Sequence, residues 1–253
     1  MTNIKNILTC LCIFIALHGL SQDISLLQKE ATNLEKQFNE QAALNKYKQI
    51  AEISPNNISA LVKCTELHCS IGARQADKNN KATYYKSGTL YALKAYTADS
   101  NNADANYAMA LVNGKLTEVE MEKKKVVEYV NLTKHFDDRA LTLNPNHAKA
   151  NYVLGKWHFE IVNLPWFKKA AVKTLYGGLP KGDIDSAIAY MEKCRLLDQY
   201  FVRNYLDLAK AYQYNNQPSK AIDILNRLVK LPTRTADDIA LKEEGKKLLE
   251  QLL

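Results

Sequence analysis

The sequence feature that most constrains the fold is a two-helix pattern that recurs along the chain. In its clearest copy, a large residue, a leucine, a small residue and an aromatic residue share one helix face, at Tyr205, Leu208, Ala209 and Tyr212. A second apolar helix pattern follows, beginning at Pro218. Residues three and four apart lie on one side of a helix, and a small residue there lets a partner helix approach closely. The segment therefore predicts two helices that pack tightly together.

Weaker copies of both halves occur upstream. First-helix patterns begin at Leu27, Leu61, Asn106 and Asn151. Second-helix patterns begin between them, at Ala43, Gly88, Thr133 and Ala187. This alternation is the tetratricopeptide pattern, and a last amphipathic segment, 237–252, supplies the polar cap that such arrays need. We therefore predict an all-α, tetratricopeptide-like α-solenoid of about five helical pairs with a C-terminal capping helix.

The repeat is longer than usual. Pro55, Ser100 and Pro145 occupy equivalent positions, and successive members of this series are 45 residues apart. A tetratricopeptide unit has about 34 residues, and the excess is close to three helical turns of 3.6 residues. The sequence therefore predicts lengthened helices, with a deeper groove or cavity between them.

The N-terminal segment has the composition of an export signal. Lys5 is its one charge, an apolar run extends over 7–20, and Gly19 and Ser21 give the small-x-small pattern that a signal peptidase reads. We expect residues 1–21 to be a signal peptide cut between Ser21 and Gln22, with export to the periplasm or the extracellular space. Residues 22–253 would then form a single helical-repeat domain. A retained N-terminal anchor is the alternative.

Charge and cysteine usage narrow the partners. The formal net charge of +7 is spread along the chain, which suits an acidic partner or an anionic membrane surface, but equally plain solubility. No nucleic-acid-binding motif is present, so we expect no nucleic-acid partner. Cys64, Cys69 and Cys194 remain after cleavage, and an odd number argues against a disulfide framework.

The sequence contains no recognisable catalytic or metal motif. It lacks a His-Glu-x-x-His pair, a phosphate-binding glycine loop and a nucleophile elbow. His68 and His158 fall at the aromatic position of the repeat, as does Asp137, a weak match. Packing is therefore the expected role of both histidines. We expect no enzymatic activity, no cofactor and no metal.

One part of the chain resembles a known family. The segments KHFDDRALTLNP, Tyr-x-Leu-Gly-Lys-Trp and LPWFKKAAVKTLYGGLP occur in order, followed by NYLDLAKAYQ and LPTRTADD. This order resembles the regulator of microtubule dynamics proteins over roughly residues 80–250. The resemblance implies a repeat-containing, non-enzymatic adaptor. Some members associate with microtubules, and one is a membrane-contact tether whose repeat domain is implicated in phospholipid binding. Since an exported chain would not meet cytosolic microtubules, the fold is expected to transfer and the microtubule role is not.

The first candidate site is the concave side of the first helices. Lys149, Tyr152 and Lys156 are spaced i, i+3 and i+7, away from the packing face, and Arg203 and Lys210 repeat that spacing one unit later. Tyr107 precedes them in the repeat before. Repeat proteins bind partners on this side. These residues therefore predict a binding surface for a protein or peptide partner, which could be acidic. The alternative is a basic face that is only solvated.

The second candidate site is an insertion over residues 163–180. It combines aromatic and basic side chains, namely Trp166, Phe167, Lys168, Lys169 and Lys173. Such a segment could lie on a membrane surface or cover a lipid cavity, and packing against the neighbouring repeat is the alternative. The expected function is thus a binding or scaffold protein. The alternative is a carrier or binder of an anionic lipid or another hydrophobic ligand in the enlarged groove. The oligomeric state is left open.

Overall fold

The computed structural model of the protein describes residues 23–165 and 177–253, which form helices joined by loops. In chain order the helices are α1 (residues 23–36), α2 (Glu40–Ile53), α3 (Ile58–Ala73), α4 (Lys78–Ala98), α5 (Ala103–Leu116), α6 (Lys123–Leu143), α7 (Ala148–Asn163), α8 (Ile184–Leu197), α9 (Val202–Tyr214), α10 (Pro218–Leu228) and α11 (Asp238–Leu252). The proposed signal peptide lies outside these ranges.

The helices of the described ranges pack as five pairs and a cap. Each odd-numbered helix from α1 to α9 packs against the even-numbered helix that follows it, and α11 covers α9 and α10. The first helices also contact each other from pair to pair, α3 against α5, α5 against α7 and α7 against α9. The predicted all-α repeat architecture with a closing helix is confirmed.

The extra length of the repeat is concentrated in two second helices. Helices α4 and α6 each have 21 residues, whereas α10, the second helix of the last pair, has 11. The apolar residues Val119, Val126 and Val130 predict nearly continuous helix from Leu116 to Leu143. Instead, residues 117–122 form a loop, and α6 begins at Lys123.

Three of the first helices begin in the same way. The side chains of Asn57, Asn102 and His147 each accept a hydrogen bond from the backbone N–H three residues on. Such a cap typically contributes about 1 kcal/mol. In His147 the Nδ1 atom accepts this bond, so Nε2 carries the proton and donates to Asp104 at 2.9 Å. The cap therefore also joins α7 to the start of α5.

Small residues set the distance between paired helices. A Cβ added to Gly155 of α7 would lie 2.8 Å from the Met191 side chain and 3.0 Å from the Ala187 carbonyl oxygen, both on α8. A larger residue at this position would force the two helices apart. The cysteines fill similar positions, since Cys64, Cys69 and Cys194 are buried and free.

Within the two described ranges, every helix is too short or too polar to cross a membrane.

Candidate binding surface

The first helices and the cap contact one another through charged and hydroxyl side chains. We call this set of contacts the inner surface, and most of its members come from α1, α3, α5, α7, α9 and α11. All six residues of the predicted concave strip belong to it. The structure places them beside acidic residues that the sequence reasoning did not include.

Glu66 of α3 is the centre of the first group of contacts. Its carboxylate lies 2.6 Å from Lys149 Nζ of α7 and 3.6 Å from Lys63 Nζ, and the Tyr107 phenol of α5 lies beside it. Burial opposes ionisation of Glu66, but the attraction of Lys149 and Lys63 outweighs it and lowers the pKa to about 2. Burial and the Glu66 charge raise the pKa of Tyr107, so its phenol stays a hydrogen-bond donor. Three repeats are thus joined at one carboxylate.

Asp207 of α9 is the centre of the second group. The Tyr152 hydroxyl of α7 donates to Asp207 Oδ2 at 2.7 Å, and Lys156 Nζ lies 3.2 Å from the same oxygen. Lys156 also pairs with Glu160, one turn along its own helix, at 3.1 Å. Burial, with the nearby Asp207 charge, raises the pKa of Tyr152 well above its usual value. This tyrosine is therefore a neutral donor held between two helices.

The third group joins the cap to both ends of the solenoid. Asp237, just before α11, binds Arg203 of α9 at 2.8 Å and Arg74 at the end of α3 at 2.7 Å. Arg74 also pairs with Glu40 of α2. Further along α11, Glu244 pairs with Lys210 of α9 at 2.6 Å.

The network continues to the N-terminal pair. Glu35 of α1 accepts a hydrogen bond from the Tyr47 hydroxyl at 2.5 Å and pairs with Lys63 of α3 at 3.0 Å. Because Lys63 also approaches Glu66, the charged contacts extend from α1 to α7 without interruption.

The predicted strip is brought together, but it is not a free basic face. Each of its four cations has an acidic partner within the chain, and these partners are Glu66, Asp207, Asp237 and Glu244. The position of Asp207 on this face was readable from spacing, since it follows Arg203 by four residues on one helix, but its ion pair is with Lys156 of α7. The contact between Glu66 and Lys149 spans 83 residues and has no local signal. The role of the strip in binding a partner remains a prediction.

Two polar side chains are buried between helices without such partners. The His68 ring stacks at 5.5 Å on Tyr91 and lies 5.9 Å from Tyr84. Among the described residues, neither His68 nitrogen has a hydrogen-bond partner. Burial, assisted by Lys48, lowers the pKa of His68 to about 4, so the ring is neutral at physiological pH. This environment agrees with the packing role expected for His68.

Asp137 of α6 is the second such side chain. It is fully buried, and neither carboxylate oxygen forms a well-directed hydrogen bond within the described part of the chain. Burial raises its pKa well above the usual value, and the neighbouring Asp138 adds to the shift. Burial therefore favours the protonated, neutral form of this carboxyl group.

A cleft of about 430 Å³ lies among α6, α7 and α8, away from the inner surface. It is lined by Asp138, Leu141, Thr142, Pro145, Asn151, Leu154, Tyr190 and Lys193. Its apolar and polar side chains are mixed, and the polar groups do not form a cluster that would bind one kind of ligand. Across residues 23–165 and 177–253, no three His, Cys, Asp or Glu side chains are arranged to hold a metal ion.

The second candidate site cannot be placed by the structure. Trp166, Phe167, Lys168, Lys169 and Lys173 all fall in residues 166–176, outside the described ranges. Their membrane or lipid contact therefore remains a prediction from sequence.

Comparison with known sequences supports the family resemblance. The family model described as regulator of microtubule dynamics protein 1-3 matches residues 27–253. Regulator of microtubule dynamics protein 1 of Caenorhabditis elegans is 26% identical over 188 residues, which cover 74% of this chain and 80% of that protein. The Bos taurus protein of the same name is 24% identical over 160 residues, covering 63% of this chain and 50% of its own length. The chain thus spans about half the length of the bovine relative.

Comparison with solved structures supports the repeat fold. A thermophilic tetratricopeptide-repeat protein of Thermus thermophilus matches with a TM-score of 0.66 at 12% identity, covering 90% of this chain and 99% of that one. PilF of Pseudomonas aeruginosa matches with a TM-score of 0.52 at 15% identity, covering 92% and 86% of the two chains. At these identities the likeness shows the fold alone.

Proposed function

This chain belongs to the regulator of microtubule dynamics protein 1-3 family, and we propose that it is a non-enzymatic scaffold that binds a protein or peptide on its inner surface. The observation that supports this proposal most is the continuity of that surface. Glu66 of α3 and Asp207 of α9 both find their partners on α7, since Lys149 pairs with the first and Tyr152 and Lys156 bind the second. Arrays of this kind bind extended partners along their concave side.

The chemistry of the surface favours a peptide over a lipid chain. An acyl chain laid against Glu66 or Asp207 would remove ion pairs from water without giving them new partners, which is costly. A peptide offers backbone and side-chain hydrogen bonds in return. A lipid-carrying function would have to depend on residues 166–176, where the aromatic and basic residues of the insertion lie.

An acidic partner would bind this surface by exchange. Lys149 and Arg203 already hold internal carboxylates, so the partner must replace those contacts rather than add to them. Its affinity should then depend on salt, because both the contacts broken and those formed are screened.

A non-catalytic role is consistent with the state of the cysteines. Cys64, Cys69 and Cys194 are buried, and burial raises the pKa of each thiol to about 12. A thiol that does not ionise is a poor nucleophile.

Export after cleavage before Gln22 is part of the same proposal, and N-terminal sequencing of the protein recovered outside the cytoplasm tests it. A soluble cytoplasmic product that retains Met1 would contradict export.

Site-specific photo-crosslinking tests the binding role. A photoreactive amino acid is placed at Lys156 on the inner surface or, as a matched control, at Lys86, an exposed lysine of α4. The mature protein is then irradiated in its native host. We expect discrete protein adducts from position 156 alone, lost when Lys149 is also changed to Glu. Adducts of equal yield from both positions, or only lipid adducts at 156 by mass spectrometry, would contradict the proposal.

A further inference from the structure

The Asp237 carboxylate bridges two arginines that are far apart in sequence. Arg74 Nη1 donates to Asp237 Oδ1 at 2.7 Å, and these residues are 163 positions apart. Arg203 Nη2 donates to Oδ2 at 2.8 Å, across 34 positions. Each carboxylate oxygen therefore has its own guanidinium group, one from the second helical pair and one from the last.

This bridge is not a by-product of helix packing. Helix α11 packs on α9 and α10, whereas in the described part of the chain α3 and α11 do not pack against each other. Arg74 lies just beyond the end of α3 and Asp237 just before α11, so the side chains alone span the space between these helices. The Asp237 side chain also makes no capping hydrogen bond to α11. Its contacts serve the arginines and not its own helix.

The arginine pair has the properties of a carboxylate-binding site. Guanidinium groups recognise carboxylates through directed, charge-assisted hydrogen bonds. Glu40 binds the other terminal nitrogen of Arg74 and so holds its guanidinium in place. The site is also open to water, with side-chain exposures of 35% for Arg74, 38% for Arg203 and 19% for Asp237. A carboxylate from outside can therefore reach the position that Asp237 fills.

We propose that Arg74 and Arg203 form a binding site for an acidic side chain of the protein partner, which Asp237 occupies when the partner is absent. The internal carboxylate closes the solenoid by holding its second pair against its cap, and an acidic partner segment opens it by exchange. This inference rests on the proposed function and adds to it the chemistry of the partner and the closed state of the free protein.

Internal occupation weakens binding, because the apparent affinity falls in proportion to the fraction of molecules in which the site is free. A tethered carboxylate competes at an effective concentration of millimolar order, so removing it should strengthen binding of an acidic peptide about tenfold. The change Asp237→Asn removes the charge, keeps the shape and leaves the helix start intact, because the side chain caps nothing.

The test uses a fluorescent peptide of ten glutamates and measures its anisotropy with the full mature chain. Glu244→Gln is the matched control, since Glu244 belongs to the same helix, pairs with Lys210 and carries the same charge, but binds neither arginine. We expect about tenfold tighter binding for Asp237→Asn and less than about threefold for Glu244→Gln, which makes the same change in overall charge but frees a single lysine in place of two arginines. Adding Arg74→Gln to Asp237→Asn should abolish the gain.

A second measurement needs no ligand. Small-angle X-ray scattering of the free protein should show a larger radius of gyration for Asp237→Asn and for Arg74→Gln than for the wild type or Glu244→Gln, with helix content unchanged by circular dichroism. The inference is overturned if Glu244→Gln tightens peptide binding as much as Asp237→Asn, or if a folded Asp237→Asn protein gains neither affinity nor size. If position 156 still forms protein crosslinks in that case, the proposed scaffold function is retained and only the Arg74–Arg203 site is rejected.

Discussion

The first helices bury two faces, and the two faces follow opposite rules. Toward the second helices, the contact is dry and depends on small or neutral groups, as where Gly155 meets Met191. Toward each other, the first helices bury charge, as where Glu66 of α3 meets Lys149 of α7. The contact between first and second helices is therefore limited by side-chain volume. The contact between neighbouring first helices is limited by charge pairing, because a charge can be buried only beside an opposite charge.

The largest effect is expected where volume is the limit. In Gly155→Leu the new side chain begins 2.8 Å from Met191, so α7 and α8 must separate. Overpacking of this kind costs about 3 kcal/mol or more, which urea denaturation will measure as a lower midpoint. Gly114 provides the control, because a Cβ there would meet its nearest neighbour, Thr133, at an ordinary 3.8 Å. Gly114→Ala should leave stability unchanged or slightly higher, whereas Gly155→Ala should lower it. Equal midpoints for the two alanine variants would refute the steric argument.

An intermediate effect is expected where pairing is the limit. Glu66→Gln keeps the volume but leaves Lys63 and Lys149 facing one another. Loss of one partner from a fully buried pair costs roughly 3–5 kcal/mol, and the partial exposure of both lysines reduces our expectation to about 2 kcal/mol. The pKa of Glu66 is about 2 in the folded state, compared with 4.5 in the unfolded chain, so its negative charge stabilises the folded state fully above pH 4.5. That contribution is lost as the pH falls toward 2.

Urea denaturation at pH 7 and at pH 3 checks the Glu66 prediction. The wild type should exceed Glu66→Gln in stability at pH 7, and the gap should narrow at pH 3. Glu160→Gln is the control, because the Glu160 side chain is 61% exposed and its pair with Lys156 is worth little. A gap that stays constant with pH would mean that charge pairing is not what Glu66 contributes.

The same contrast explains how much could be predicted from sequence. The helix pairs follow from spacing, because residues three and four apart, such as Tyr205, Leu208 and Tyr212, must share one face, and that face determines the fold. The concave position of Lys149 and Arg203 follows from the same spacing. Their partners do not, since Glu66 and Asp237 approach them only after several repeats have stacked. The 163-residue contact between Arg74 and Asp237 depends on the curvature of the whole array, to which each repeat adds a small rotation.

Asp137 is the residue that departs from both rules. It lies at the aromatic position of the repeat, on the dry face, yet its side chain is ionisable and has no charged partner among the described residues. Its pKa is raised by burial, so the folded chain holds a proton that the unfolded chain releases above pH 3.8. Stability is therefore lost as the pH rises above that value, the reverse of the trend for Glu66.

The change Asp137→Asn removes this cost with almost no change in volume, and it is the smallest effect of the three. We expect the variant to be more stable than the wild type by about 1 kcal/mol at pH 7, since each unit of pKa difference is worth about 1.4 kcal/mol and the amide still lacks partners. Urea denaturation at pH 4, 5.5 and 7 should show this gain growing with pH. Asp138→Asn is the control, because Asp138 is exposed and pairs with Lys134 at 2.6 Å, so its loss should be nearly neutral. An Asp137→Asn variant that is less stable than the wild type at pH 7 would contradict this prediction. It would show that the Asp137 carboxyl is ionised and paired in the folded protein, so that charge pairing limits the contact between first and second helices as well.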